Sequence, residues 1–122
     1  LIGKKISLDV AEYAIKNLFN NPIERKINSD TIIKCVVKIT GISIEKIKSN
    51  KRDKVSTMAR RITMYLLRED GHMTSSAVGE ILGGKDHSTV IYAQKAIEKT
   101  LKTDLVLREK ITSIRELIKV SV

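Results

Sequence analysis

The sequence predicts an all-α fold, a helical bundle that contains a helix-turn-helix and is preceded by one further helix. Apolar residues recur at helical spacing along most of the chain, and glycine or asparagine interrupts them at short intervals. No two segments pair convincingly as a hairpin. With 122 residues, 42% of them hydrophobic and 30% charged, the chain has the composition of one compact globular domain with a short extension.

The N-terminal segment is predicted to be a separate piece. Residues 7–19 carry apolar side chains at helical spacing, and Ser7 is placed to cap this helix. Two asparagines and Pro22 end the pattern and leave a short polar connection. We therefore divide the chain into residues 1–26, which contain the connector helix, and residues 27–122, which form the main domain.

Two more helices are predicted after this connection. Asn28 or Ser29 can cap the first of them, and Gly41 ends it. Its run TIIKCVVKIT would suit a strand equally well by propensity. We predict a helix because no hairpin partner follows and because GISIEKIK is typical of another short helix, capped by Ser43. Cys35 lies in the apolar run and is predicted to pack in the core.

A long amphipathic helix is predicted to run to about Glu69, and a basic stretch precedes and opens it. Its predicted buried stripe consists of Val55, Met58, Ala59, Ile62, Tyr65 and Leu66. Residues 45–61 hold two acidic side chains and seven basic ones, which are Lys46, Lys48, Lys51, Arg52, Lys54, Arg60 and Arg61. Such a run is often only a solvated surface. Whether it binds a polyanion depends on what lies beside it.

Three further helices complete the predicted bundle and bring the total to about seven. Thr74 or Ser75 caps a short helix that ends near Leu82. The next helix runs to about Lys102, and the last one begins near Asp104. The chain shows no internal repeat and no low-complexity tract.

The stretch GGKDHSTV, residues 83–90, joins two of these helices. Its two glycines permit the positive φ angles of a tight turn. The helix that follows starts with consecutive polar side chains, which are Lys85, Asp86, His87, Ser88 and Thr89. In a helix-turn-helix protein the start of the second helix enters the DNA major groove, where such side chains can bond to base edges and phosphates. The stretch therefore predicts a DNA-reading helix, although Asp86 would cap the helix in either case.

Charge and composition favour a polyanionic partner. Lys and Arg number 23 against 14 Asp and Glu, which gives a net charge of +9. Basic side chains attract phosphates without regard to sequence, and Lys51 and Arg52 could also enter a narrow minor groove. Three Tyr and one Phe are too few for a protein that stacks single-stranded bases. We therefore predict double-stranded DNA as the partner, held in two adjacent grooves.

Several other classes of protein are disfavoured. The single cysteine excludes an internal disulfide and suits the cytoplasm, and the two histidines, His72 and His87, lack partners at metal-ligand spacing. No apolar run is long enough to span a membrane. No nucleophile–base pair, carboxylate pair or phosphate-binding loop can be assembled from these residues. We predict no enzyme activity, metal or cofactor in this chain.

GGKDHSTV followed by IYAQKAIEK resembles the signature of the C-terminal DNA-binding domain of DnaA, the bacterial chromosomal replication initiator. RRITMYLLRE is similar to the long helix that precedes the signature in that family. The resemblance covers about residues 27–122, while residues 1–26 resemble the last lid helix of the family's ATPase module and its connector. It implies that an upstream module binds ATP and Mg²⁺ and contacts other initiator protomers. We expect the isolated domain to be a monomer.

The resemblance also implies recognition of a short, non-palindromic, AT-rich box at a replication origin. The family's base contacts carry over onto Asp86, His87, Ser88 and Thr89, with Lys85 in place of the usual arginine. Arg52 falls where the family inserts an arginine into the minor groove, and Lys51 lies beside it.

Phosphate contacts are implied for a larger set of residues. Arg60 and Arg61 fall where the family has a phosphate-contacting helix start. The full predicted set is Lys46, Lys48, Lys54, Arg60, Arg61, Ser75 and Ser76. The sequence departs from the family here, because TMARR stands where ARPRQ is usual and a proline before the turn helix is replaced near Ser76. These departures concern the phosphate contacts more than the base contacts.

Two other functions remain open at this point. One is a transcriptional regulator or mobile-element protein that reuses the same domain, and the other is a helical protein-interaction module with an incidental basic face. A phosphate-binding loop should precede residue 1 in an initiator, so the upstream sequence would distinguish an initiator from the first alternative. Binding of duplex DNA at low salt would distinguish a DNA-binding domain from the second alternative.

Overall fold

The computed structural model of the protein describes residues 27–121, which form six α-helices. They are α1 (Ser29–Thr40), α2 (Ile44–Lys48), α3 (Lys54–Glu69), α4 (Ser75–Ile81), α5 (His87–Leu101) and α6 (Leu105–Ser121). No strand occurs between residues 27 and 121, and the predicted all-α class is confirmed. The helix predicted over 7–19 and the connector predicted over 1–26 lie outside the described residues.

The helices begin and end at the residues that local chemistry favours. The Asn28 side chain accepts a hydrogen bond from the Thr31 amide at 2.9 Å, and Thr74 accepts one from the Ala77 amide at 3.1 Å. Each bond satisfies one amide that the first helical turn leaves without a backbone partner. Gly41 ends α1 in the left-handed region, with φ 75°. The β-branched run of α1 is therefore helical, as predicted, between a capped start and a glycine stop.

The core is built around α3, which packs against α1, α2, α4 and α5. Ile62, Leu66 and Leu67 of this helix are fully buried. The last helix, α6, packs against α1 and α5, and its Ile114 is fully buried in the core. Cys35 is a buried free thiol within the same core, which confirms its predicted packing role.

The predicted buried stripe of α3 is wrong at its first two positions. Val55 is 58% exposed and Met58 is 37% exposed, whereas the later positions of the stripe are buried. Amphipathic spacing shows which face of a helix is apolar but not how far a neighbouring helix covers it. Val55 and Met58 line an open, mainly apolar groove beside Thr40 and Ile42.

Polar contacts fix the remaining helices against the end of α3. Arg68 donates to the side chain of Gln94 on α5 at 3.0 Å, and Gln94 donates to Glu69 at 2.7 Å. Arg115 of α6 donates two hydrogen bonds to Asp70, at 3.0 and 2.9 Å, and these bonds raise the pKa of Arg115. Bidentate pairs of this kind define orientation as well as distance. Both α5 and α6 are thus bonded to the C-terminal end of α3.

Candidate nucleic-acid interface

A tight turn joins α4 to α5 and sets the direction of α5. Gly83 and Gly84 have φ angles of 90° and 79°, so the predicted glycine turn is confirmed. The carbonyl of Gly79 accepts hydrogen bonds from the Gly84 amide at 3.0 Å and from the Lys85 amide at 2.8 Å. A Cβ atom at Gly79 would lie 2.1 Å from the Lys85 carbonyl oxygen, which means that the chain passes directly over α4 at this residue.

The exposed start of α5, residues 86–89, is called the α5 tip below. Asp86 is the N-cap, and its carboxylate accepts hydrogen bonds from the Ser88 amide at 3.3 Å and from the Ser88 hydroxyl. The bond from the Ser88 hydroxyl is the largest cause of a lowered pKa at Asp86. His87 Nδ1 lies 3.6 Å from an Asp86 carboxylate oxygen, and the two side chains are 60% and 64% exposed. Thr89 is exposed as well, so the tip is held by local bonds but open to a ligand.

Lys85 differs from the four residues that follow it. Its side chain turns away from the tip, and Nζ donates to the Lys48 carbonyl at the end of α2 at 2.7 Å. Burial, with a smaller effect from the positive charge of Arg60, lowers the pKa of Lys85. The structure therefore places this residue between the turn and α2 and not in line with the base-reading candidates.

Arg60 is also engaged within the protein. Its Nε donates to the Ile47 carbonyl at 2.8 Å, and its Nη2 donates to the Lys46 carbonyl at 3.0 Å. Burial lowers the pKa of this half-buried guanidinium. The resemblance placed Arg60 and Arg61 at a helix start, but α3 already begins at Lys54, and both residues lie in its second turn.

Tyr92 is a site residue that the sequence reasoning did not include. It lies on α5, three residues after Thr89 and thus on the same helical face. Its side chain is 62% exposed, and the Arg61 guanidinium lies 5.3 Å from its ring centre, in a cation–π contact. The spacing from Thr89 was a signal that could have identified it.

A cleft of about 680 Å³ separates the start of α5 from the loop that precedes α3. Residues 49–53 form this loop and are called the basic loop below. The cleft lining comprises Asn50, Lys51, Arg52, Thr57, Arg60, Arg61, Met64, Lys85, Thr89, Tyr92 and Ala93. The structure thus brings the two predicted minor-groove residues to the same cleft as Thr89, which is one of the predicted base readers.

The other predicted phosphate contacts lie outside this lining. Lys46 and Lys48 are exposed on α2, and Lys54 is exposed at the start of α3 and borders the apolar groove. Ser75 and Ser76 lie in the first turn of α4, where Ser76 is exposed and Ser75 is half-buried. These five residues do not line the cleft.

Residues 27–121 show neither a metal-binding cluster nor a membrane-spanning helix. No group of three or more His, Cys, Asp or Glu side chains in that range could hold a metal ion. None of its helices is both long and apolar enough to cross a membrane. His72 has a positive φ of 53° in the turn after α3 and does not line the cleft.

Two helices joined by a glycine turn, with an exposed polar start on the second, define a helix-turn-helix domain. Residues 29–97 match the family described as the bacterial dnaA protein helix-turn-helix. The chain is also 34% identical, over 111 residues, to the chromosomal replication initiator protein DnaA of Chloroflexus aggregans, an alignment covering 91% of this chain and 23% of that protein. The chain belongs to the bacterial DnaA helix-turn-helix family, and it spans about a quarter of the length of this relative.

Proposed function

We propose that this domain binds double-stranded DNA sequence-specifically, as the origin-reading module of a chromosomal replication initiator. The observation that carries the proposal is the cleft, which has an exposed polar helix start on one side and a basic loop on the other. Membership of the DnaA helix-turn-helix family supports the same function. The proposed target is the short, AT-rich, non-palindromic box that the family resemblance implies. A single reading helix without two-fold symmetry suits a site that is not a palindrome.

The α5 tip enters the major groove, which is wide enough for one helix. Asp86 accepts from a cytosine amino group, in an orientation that its bonds to Ser88 already fix. His87, Ser88 and Thr89 offer hydrogen-bonding groups to neighbouring base edges, and the Thr89 methyl can contact a thymine methyl. Since these side chains are exposed in the free protein, binding displaces water and breaks no contact with another helix.

The basic loop enters the adjacent minor groove. Lys51 and Arg52 are exposed at this end of the cleft. AT-rich DNA has a narrow minor groove with enhanced negative potential, which favours an inserted arginine. One sugar-phosphate strand separates the two grooves, and this strand occupies the cleft. Arg61, supported by Tyr92, contacts its phosphates, while the five more distant residues, Lys46, Lys48, Lys54, Ser75 and Ser76, add phosphate contacts at the margins.

The proposal is tested by selecting bound sequences from a pool of random duplexes. We expect enrichment of one AT-rich motif without a palindrome. His87→Ala should weaken binding to that motif by about ten- to a hundredfold while random duplex binding changes little. His72→Asn is the matched control, since it also removes a histidine but lies away from the cleft. A pool that yields no motif, or equal losses on both kinds of DNA, would contradict the base-reading role.

The full-length protein is proposed to carry an ATP-binding module upstream of this domain. That module would supply the sites for ATP and Mg²⁺ and the contacts with other initiator protomers, and the protein would act on the chromosome in the cytoplasm. The name of the relative, of which this chain spans about a quarter, supports this proposal. Nucleotide binding by the full-length protein tests it, and a protein with no ATP affinity would favour a transcriptional regulator instead.

A further inference from the structure

The C-terminal end of α2 is capped by cations from two other parts of the chain. The last carbonyl groups of a helix have no partner within the helix. Here the carbonyls of Lys46 and Ile47 accept from Arg60 of α3, and the carbonyl of Lys48 accepts from Lys85 of the turn. Positive charge at this end of a helix is also favoured by the helix dipole.

Ser49 connects this cap to the basic loop. Its hydroxyl donates to the Lys46 carbonyl at 2.7 Å and accepts from the Lys51 amide at 3.2 Å and from Arg60 Nη2 at 3.4 Å. Arg60, Lys85 and Ser49, with the three carbonyls, are called the α2 capping cluster below. The cluster reaches the residue next to Arg52, which is the proposed minor-groove contact.

The turn of the helix-turn-helix presses against the same cluster. A Cβ atom at Gly83 would lie 2.7 Å from the Lys48 carbonyl oxygen, and Gly83 also has a positive φ. The end of α2, the second turn of α3 and the glycine turn therefore meet at one point. The basic loop and the turn that leads into α5 both contact this point, so the cluster links the position of the loop to that of α5.

We infer that Arg60 and Lys85 are positioning residues, which hold the basic loop at a fixed distance from α5 so that both grooves are contacted together. This inference rests on the proposed function. Both cations line the cleft, and each is held in place by bonds that it already donates to backbone carbonyls. A loop without the cluster would have to be ordered during binding, and the entropy cost would lower affinity by about tenfold.

Modified bases distinguish positioning from direct phosphate contact. Diaminopurine in place of adenine leaves the major-groove edge unchanged and adds an amino group in the minor groove, so it tests the loop alone. Inosine paired with cytosine in place of an A·T pair changes only the major-groove edge and tests the α5 tip. Both replacements are made within the selected box, and affinity is measured for the unchanged protein, Arg60→Met and Lys85→Met.

We expect both variants to lose the discrimination against diaminopurine that the unchanged protein shows, and to keep the discrimination against inosine. A direct phosphate contact would instead lower affinity equally on every duplex and leave both discriminations intact, which would overturn the inference. A double-mutant cycle with Arg52→Ala gives an independent measure. Arg60→Met should have little further effect once Arg52 is absent, and fully additive losses would overturn the inference.

Arg108 provides a matched control. Its Nε donates to the Leu101 carbonyl at 2.7 Å and its Nη2 to the Lys102 carbonyl at 2.9 Å, so it caps the end of α5 as Arg60 caps the end of α2. The 15 residues of α5 place this end about 22 Å from the α5 tip. Arg108→Met removes the same charge and the same type of bond, and affinity should change by less than about twofold.

Hydrogen exchange in the free protein tests the inference without DNA. The amides of Ser49 and Lys51 should exchange at least about tenfold faster in Arg60→Met than in Arg108→Met. Should the Met variants fail to fold, Ser49→Ala keeps both cations and serves in their place for this measurement and for the diaminopurine measurement. Unchanged exchange at these amides would overturn the inference. An unchanged protein without preference for any duplex would refute the proposed function, which is a separate result.

Discussion

The α5 tip and the α2 capping cluster lie on either side of one turn but use their polar groups in opposite ways. In the tip, the Asp86 carboxylate bonds to Ser88 and lies close to His87, and all members of the tip are exposed. In the cluster, Arg60 and Lys85 bond to carbonyls that are 13 and 37 residues away in sequence. The tip is ordered and free to bind, whereas the cluster is ordered because its groups are already bound.

This difference predicts that charge alone does not identify a DNA contact. Lys85 and Asp86 are neighbours in the chain and belong to the same polar run, yet only Asp86 faces solvent with its functional group uncommitted to another helix. Arg60 and Arg61 are likewise adjacent and both line the cleft, but Arg60 is bonded to backbone carbonyls of α2, whereas Arg61 lies over the Tyr92 ring. On the proposed function, the bonds that a side chain already makes within the protein are expected to separate the residues that read DNA from those that position the reading parts.

The largest expected effect is on stability, and it comes from the glycine turn that lies between the two regions. Gly79→Ala should destabilise the domain by about 3 kcal/mol, because the added Cβ would collide with the Lys85 backbone carbonyl. Urea denaturation measures this change in the free energy of unfolding. Gly84→Ala is the control, since it meets open space and adds only the strain of a positive φ, about 1 kcal/mol. Equal destabilisation by the two changes would show that the close approach at Gly79 is unimportant.

The next effect concerns the tip alone. Asp86→Asn keeps an oxygen that can cap α5 but replaces the carboxylate with an amide. We expect discrimination between the selected box and random duplexes to fall by about tenfold or more, with little change in stability. Asp86→Ala should lose the same discrimination and also destabilise α5. If Asp86→Asn reads the box as well as the unchanged protein does, Asp86 acts only as a helix cap.

A smaller and less specific effect is expected at the cleft wall. Arg61→Met should weaken binding to all duplexes alike and reduce the slope of log affinity against log salt by about one. The physical reason is that one fewer phosphate is neutralised, so one fewer counterion is released. Affinities measured at several salt concentrations give the slope. Arg108→Met should leave it unchanged, and an unaltered slope in Arg61→Met would remove Arg61 from the phosphate contacts.

The helix boundaries were predictable because they depend on neighbouring residues. Asn28, Ser43 and Thr74 cap the helices they were expected to cap, and each bonds to an amide three residues away. Such contacts depend only on residues that are close together in the sequence. The fold class follows from these boundaries and from helical spacing, and the polar turn of α5 was visible for the same reason.

Long-range contacts were not predictable in this way. Nothing near Arg60 in the sequence indicates that α2 will supply its acceptors, and nothing near Gly79 indicates that the Lys85 carbonyl will pass over it. The exposure of Val55 has the same origin, since the apolar spacing within α3 does not show which of its residues the neighbouring helices bury. A pattern within one helix defines its apolar face, whereas the bonding partner of each polar side chain depends on how several helices pack together.

The smallest expected effect is a pH dependence shared by the helices on the two sides of the cleft, since each begins at an aspartate. The Asp53 side chain accepts from the Ser56 amide at 3.0 Å, and this bond is the largest cause of its lowered pKa, while the Ser88 hydroxyl has that effect on Asp86. A carboxyl whose pKa is lower in the folded protein than in the unfolded chain stabilises the fold above the unfolded value, near ~pH 4. That contribution is lost as the pH falls through the folded pKa.

Replacing both aspartates with asparagine keeps the caps but removes their titration. The unchanged protein should therefore lose more stability than the Asp53→Asn/Asp86→Asn variant between about pH 5 and pH 2. Urea denaturation at several pH values measures the difference between the two proteins, which should shrink as the pH falls. Both carboxylates are exposed, so we expect a small change that added salt reduces further. A difference that stays constant over this range would mean that the two caps contribute equally whether or not they are ionised.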